Sequence, residues 1–135
     1  MAKIGGTIND VTIEYGTTAD NEVKDSLVTL LKGIVKQTVA PGQTLTKIFI
    51  SATTNGKHDS PRHASGEAID ISRLNGKKID TYDSDTEVKA LVDAIQDEAD
   101  KQSGIRENFG PHFKHKHKTN WTVGGHDDHM HFSVD

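Results

Sequence analysis

Polar and apolar residues alternate along some stretches of the chain and recur at helical spacing along others. Within residues 4–15, Val11, Ile13 and Tyr15 alternate with Thr12 and Glu14, which predicts a short strand or hairpin arm. Val23, Leu27, Leu30, Leu31, Ile34 and Val35 then share one helical face, predicting an amphipathic helix over 20–37. Thr17-Thr18-Ala19-Asp20 carries its N-cap signal, and Pro41-Gly42 breaks it. Residues 45–52 read as a strand, because Ile48, Phe49 and Ile50 in succession are too apolar for a solvent edge.

A polar loop over 53–62 leads to residues 67–72, where Ile69 and Ile71 face one way and Ala68, Asp70 and Ser72 the other. Asn75-Gly76 predicts a tight hairpin turn into residues 77–79. Ser84 or Asp85 caps a second helix reaching about Gln102, with Val88, Leu91, Val92, Ile95 and Ala99 as its buried stripe and Gly104 beyond its end. Short strands are expected over 105–109, 113–117 and 120–123, and a closing strand over 129–134. Two helices with a mainly antiparallel sheet make an α+β fold. A length of 135 residues fits one domain spanning 1–135.

Composition narrows the chemistry. The chain has no cysteine, so neither a disulfide nor a thiolate metal site is expected, and any metal falls to His, Asp or Glu. Eight histidines are many for this length, and seven of them lie from His63 onward. A net charge of −4 gives no general attraction to nucleic acid. No apolar run approaches the ~20 residues of a membrane helix, and no apolar h-region follows Met1. The expectation is a protein made in the cytoplasm without a signal peptide, not inserted in a membrane and not bound to nucleic acid.

His63 and Asp70 stand seven residues apart with Gly66 between them. In a helix that spacing is two turns, about 10 Å, too far for two side chains to meet on one ion. If they converge, the chain folds back between them, and Gly66 permits it. In the closing strand His129 and His131 project from one face and Met130 and Phe132 from the other. Two strands that bury apolar residues on one face and offer donors on the other can line one cleft. Two His and one Asp meet the needs of a catalytic zinc, which keeps a fourth position for water.

The pattern His63-x-x-Gly66-x-Ala68-x-Asp70, followed about sixty residues later by Asp128-His129-Met130-His131-Phe132, resembles the zinc peptidases of the M15 family. These are D-Ala-D-Ala carboxypeptidases and L-alanyl-D-glutamate endolysin peptidases, and they share the hedgehog/DD-peptidase fold. The resemblance runs from about Ile48 to the end of the chain. It implies that His63, Asp70 and His131 hold Zn2+. It implies that Asp128 is the general base, taking a proton from the attacking water and passing it to the leaving amine. It makes His129 the group that stabilises the oxyanion.

In a regular strand Asp127, not Asp128, shares the face of His129 and His131, so Asp128 needs a bulge or loop and Asp127 is held in reserve. Family members often carry Ser-Gly-Tyr-Arg on the strand before the first motif, whose arginine holds a substrate carboxylate. This chain has Ser51-Ala52-Thr53-Thr54 there. Arg62, Lys57 and His58 are the candidate replacements. Pro61 also stands where a serine is often found, with Ser60 one position earlier.

The strip His112-Phe113-Lys114-His115-Lys116-His117-Lys118 reads as a solvated hairpin flank, since interleaved lysines repel a cation. Trp121 is expected to pack at the core or its flank. The implied function is a zinc-dependent hydrolase of peptidoglycan stem peptides, acting on the bacterial cell wall as a phage lysin or virion-associated enzyme. A metal-bearing structural or binding module of the same fold is the alternative.

Overall fold

A computed structural model describes residues 1–17, 19, 22–53 and 65–135. Its strands are β1 (Ala2–Lys3), β2 (Thr7–Ile8), β3 (Val11–Tyr15), β4 (Glu22–Val23), β5 (Lys47–Ala52), β6 (Ala68–Leu74), β7 (Lys77–Lys78), β8 (Ile105–Phe109), β9 (Lys114–Lys116), β10 (Thr119–Asn120) and β11 (Met130–Val134). The α-helices among the described residues are α1 (Asp25–Ile34) and α2 (Thr86–Asp100), with a 3-10 turn at Ile79–Thr81. This is the expected α+β architecture. The main sheet runs β10-β9-β8-β11-β6-β5-β3-β2 with β7 added to β6, and β1 pairs with β4 apart from it. Its pairs are antiparallel except β3 with β5, between which the chain crosses over through α1.

Three two-residue hairpins set the registers. Asn9-Asp10, Asn75-Gly76 and His117-Lys118 all have positive φ at both positions, the turn that matches the right-handed twist of paired strands. The Asn75 side chain does more than turn the chain. Its Oδ1 accepts from the backbone N–H groups of Thr46 and Lys47, and its Nδ2 donates to the Glu87 carboxylate at 2.7 Å. One residue thereby fixes β5, the β6–β7 turn and the first turn of α2.

The core lies between the helices and one face of the sheet. Leu27, Leu31 and Ile34 of α1 and Val88, Leu91, Val92 and Ile95 of α2 join Ile48, Ile50, Ile69, Ile71, Met130 and Phe132 in a single buried cluster. Each such aliphatic side chain contributes roughly 1.5–3 kcal/mol on full burial. In the β11–β6 ladder Met130 stands opposite Ile71 and Phe132 opposite Ile69, while His131 stands opposite Asp70. The alternation therefore sends the apolar pairs toward the helices and the His–Asp pair to the other face.

Two expectations need correction. The first helix begins at Asp25, not near residue 20: Glu22–Val23 is a short strand on β1, and Lys24 is the N-cap without a side-chain hydrogen bond. Asp20, the expected cap, lies outside the described residues. Val23 is fully buried, so its apolar character served a strand adjoining the helix. Trp121 is half exposed and carries the Lys116 ammonium 4.3 Å from its ring centroid, rather than packing in the core. The regular strand there is Thr119–Asn120. The second helix is capped as expected by Asp85, whose Oδ1 accepts from the N–H groups of Glu87 and Val88.

Candidate functional site

β6, β8 and β11 build the site as adjacent strands. The antiparallel ladders place His131 between Asp70 on one side and Phe109 on the other. Asp70 and His131 are both buried, at 2 % and 5 % exposure, so their contact is shielded from water. His131 Nδ1 lies 2.9 Å from Asp70 Oδ1 and its Nε2 lies 3.0 Å from Glu107 Oε1. The ring stacks on Phe109 at 5.6 Å between centroids and 17° between planes.

Electrostatics follow from this bridging. Burial works against a charged His131 ring, but hydrogen bonds to Asp70 and Glu107 outweigh it and push His131 up to about 9. Burial likewise works against a charged Glu107, and hydrogen bonds from His131 and Ser133 outweigh it, taking Glu107 down to about 2. Without a metal, the constellation is a buried imidazolium between two carboxylates.

Bends over 127–129 precede β11, so His129 and Asp128 stand just outside the regular strand. Asp128 thus lies in a bend rather than in a regular strand. The Asp128 carboxylate meets His129 Nδ1 at 2.7 Å, a contact that lowers its affinity for a proton. The other ring nitrogen of His129 faces the site, 3.9 Å from Asp70 Oδ1. Asp127, the reserve, is turned toward Lys114 and pairs with its ammonium at 3.1 Å. His63 and Arg62 lie outside the described residues, as do Lys57 and His58. Of the expected site residues the structure thus gathers Asp70, Asp128, His129 and His131.

Two others join them that sequence reasoning missed. His126, with φ +69°, places its ring 5.0 Å from that of His129 and 5.5 Å from that of His131. Burial, and then the neighbouring histidine charges, disfavour its protonated form. It follows Gly124-Gly125 outside any alternating stretch, so periodicity gave no signal. Glu107 did leave one: it interrupts the Ile105–Phe109 face of β8, a charge in line with two apolar residues.

Asp70 and His131 offer donor types that zinc accepts. Two donors each ~2.0–2.1 Å from one tetrahedral centre stand roughly 3.3 Å apart. Asp70 Oδ1 and His131 Nδ1, in hydrogen-bond contact at 2.9 Å, stand closer than that and are of zinc's usual donor types. Among the described residues no group of three His, Asp or Glu side chains is gathered as a metal site. The third ligand expected from the sequence is His63.

Two recesses adjoin the site and share Asp80 and Asp128. One, of about 210 Å³, is lined by Ser72, Arg73, Lys78 and those two aspartates. The other, of about 330 Å³, is lined by Tyr82, Asp83, Pro111 and Asp127 as well. Against known proteins, the chain matches no family model, no curated protein and no solved structure. No helix among the described residues is long and apolar enough to cross a membrane.

Proposed function

We propose that this chain is a zinc-dependent peptidase of the hedgehog/DD-peptidase fold, hydrolysing stem peptides of bacterial peptidoglycan. The observation that carries the reading is the Asp70–His131 pair: two metal-type donors 2.9 Å apart, with the His129 ring directed at the same carboxylate. Residues 63, 70 and 131 are the ligands in this reading. Zinc, when bound, acidifies a water and polarises the scissile carbonyl.

The remaining work falls to side chains. Asp128 accepts the proton of the attacking water and hands it to the leaving amine as the C–N bond breaks. Its contact with His129 keeps it ionised, as a base must be, and orients the ring. His129 donates toward the oxygen on which negative charge develops. Arg73, held 4.7 Å over the Phe49 ring, and Lys78 line a recess that reaches Asp128. In this reading they take the task left open by the absent family arginine, holding a carboxylate of the stem peptide against the opposing charge of Asp80 in the same recess. The scissile bond involves a D-amino acid in this reading, by endopeptidase or D,D-carboxypeptidase action, and the setting is a phage lysin or virion-associated enzyme.

A second reading has its own observation. His131 bridged by two carboxylates is a largely buried ion triad, as a non-catalytic, metal-bearing module of the same fold would retain. Metal analysis followed by digestion of purified peptidoglycan separates the two. The enzyme is expected to bind one zinc and release muropeptides, and Asp128→Ala to keep the zinc while losing release by about 10²-fold or more. Stoichiometric zinc without wall cleavage by the wild type would leave the structural reading standing. Absence of zinc, with no stabilisation on adding it, would sink the enzyme.

A further inference from the structure

A ring that donates its Nε2 proton to a fixed acceptor presents the lone pair of Nδ1, and one with the proton on Nδ1 does the reverse. Which nitrogen of His131 meets a metal is therefore decided by what holds the other. Glu107 Oε1 lies 3.0 Å from Nε2, on the side of the ring away from Asp70. Glu107 is itself held: the Ser133 hydroxyl donates to the same Oε1 at 2.8 Å and accepts from the Glu107 backbone N–H at 3.1 Å. Ser133 is wholly buried on β11, on the strand face that carries His131, and Phe109 stacks on the ring to fix its plane.

We infer that Glu107, locked by Ser133, is the positioning residue of the metal centre: it holds the proton on Nε2 of His131 and delivers Nδ1 to the ion beside Asp70. The inference rests on the reading of Asp70 and His131 as metal ligands. It adds a division of labour between β6, which supplies a ligand, and β8, which supplies the carboxylate behind one. Carboxylates behind ligating histidines fix ring orientation and raise ligand basicity, and removing one typically weakens metal binding ~10–100-fold. A buried salt bridge serving only stability makes no demand on which nitrogen carries the proton.

The test uses full-length wild type, Glu107→Gln, Glu107→Ala and Ser133→Ala, with zinc affinity measured by competition against a chromophoric chelator. Nitrogen-15 histidine spectra of the zinc-loaded wild type read the tautomer of His131. The expected result is a metal-bound Nδ1 and a protonated Nε2 in the wild type. Affinity should fall about 10–100-fold in Glu107→Ala and less in Glu107→Gln, which keeps an acceptor but not the charge. Ser133→Ala should fall between Glu107→Gln and the wild type. Wild-type ligation through Nε2, or zinc affinity in Glu107→Ala within about threefold of wild type, would overturn the inference and leave the zinc reading intact. A wild type that binds no zinc overturns both. The tautomer is read without any substitution, so the result holds even if Glu107→Ala fails to fold.

Discussion

A nearly buried histidine with a carboxylate on each ring nitrogen makes folding itself sensitive to pH. In the metal-free protein His131 titrates at about 9, above its unfolded range, so its contribution is complete below about pH 6.5 and disappears as pH rises through 9. Glu107 titrates at about 2, so its contribution is complete above about pH 4.5 and disappears as pH falls through 2. The His131–Glu107 contact enters both shifts, so the two are not independent contributions. Urea unfolding of the metal-free protein should therefore give a plateau of stability between about pH 4.5 and 6.5, falling on both sides. A flat profile from pH 6 to 10 would show that the ring does not carry its proton in the fold. Asp70 and His131 were legible in the sequence because each stands on a strand face opposite two buried aliphatic or aromatic residues. Glu107 showed in the sequence only as a charge on an apolar face of β8, because alternation shows which face a residue takes but not which neighbouring strand it meets.

At the level of elements, two glycines that look alike differ in what surrounds them. A Cβ added at Gly110 would overlap the Gln96 amide. That amide is fully buried and committed: Nε2 donates to Asn108 Oδ1 and to the Phe113 carbonyl, and Oε1 accepts from the His112 N–H. Gly110→Ala should cost about 1–3 kcal/mol, because the displaced amide ties α2 to β8 and to the segment entering β9. A Cβ at Gly33 also overlaps a glutamine amide, but Gln102 is a flexible side chain whose one hydrogen bond among the described residues is a long one to the Glu98 carbonyl. Gly33→Ala should be neutral or stabilise α1 by up to about 1 kcal/mol, the helix propensity gain. Thermal unfolding of the two variants side by side reads the difference directly. The same elements show where reading the pattern succeeded. Helix α2 announced itself through its stripe and Asp85 cap, whereas the start of α1 was misread because Val23 continues the helical spacing while belonging to a strand. The His117-Lys118 turn has neither Asn nor Gly, so nothing in its residue types marked a hairpin with two positive φ angles.

For the whole molecule, the α+β class was readable from periodicity, but the strand order was not. Placing β11 between β8 and β6 joins the end of the chain to its middle, and making β3 parallel to β5 requires the α1 crossover. Neither arrangement leaves a local trace. The site depends on that order, since its donors come from different strands. Zinc binding should thus stabilise the fold as a unit, by about 2.7 kcal/mol at a hundredfold excess over Kd. That corresponds to a rise in Tm on the order of 10 °C, reversed by chelator. A Tm unmoved by zinc would count against the metal reading. The Gly66 turn, at φ +76°, gives its carbonyl to the Lys24 N–H at 2.8 Å, directly at the head of α1. The peptide leading into Asp70 is in this way latched to a helix start far away in sequence. Lys24 has φ −60°, which proline adopts without strain, so Lys24→Pro unfastens that latch while sparing the local backbone shape. The loss should be about 0.5–1.5 kcal/mol in stability relative to Lys24→Ala, with zinc affinity reduced in the proline variant alone. An equal affinity in both would mean that Gly66 holds its place unaided. If the latch holds, the head of α1 is a remote control on metal affinity, open to adjustment without touching a ligand.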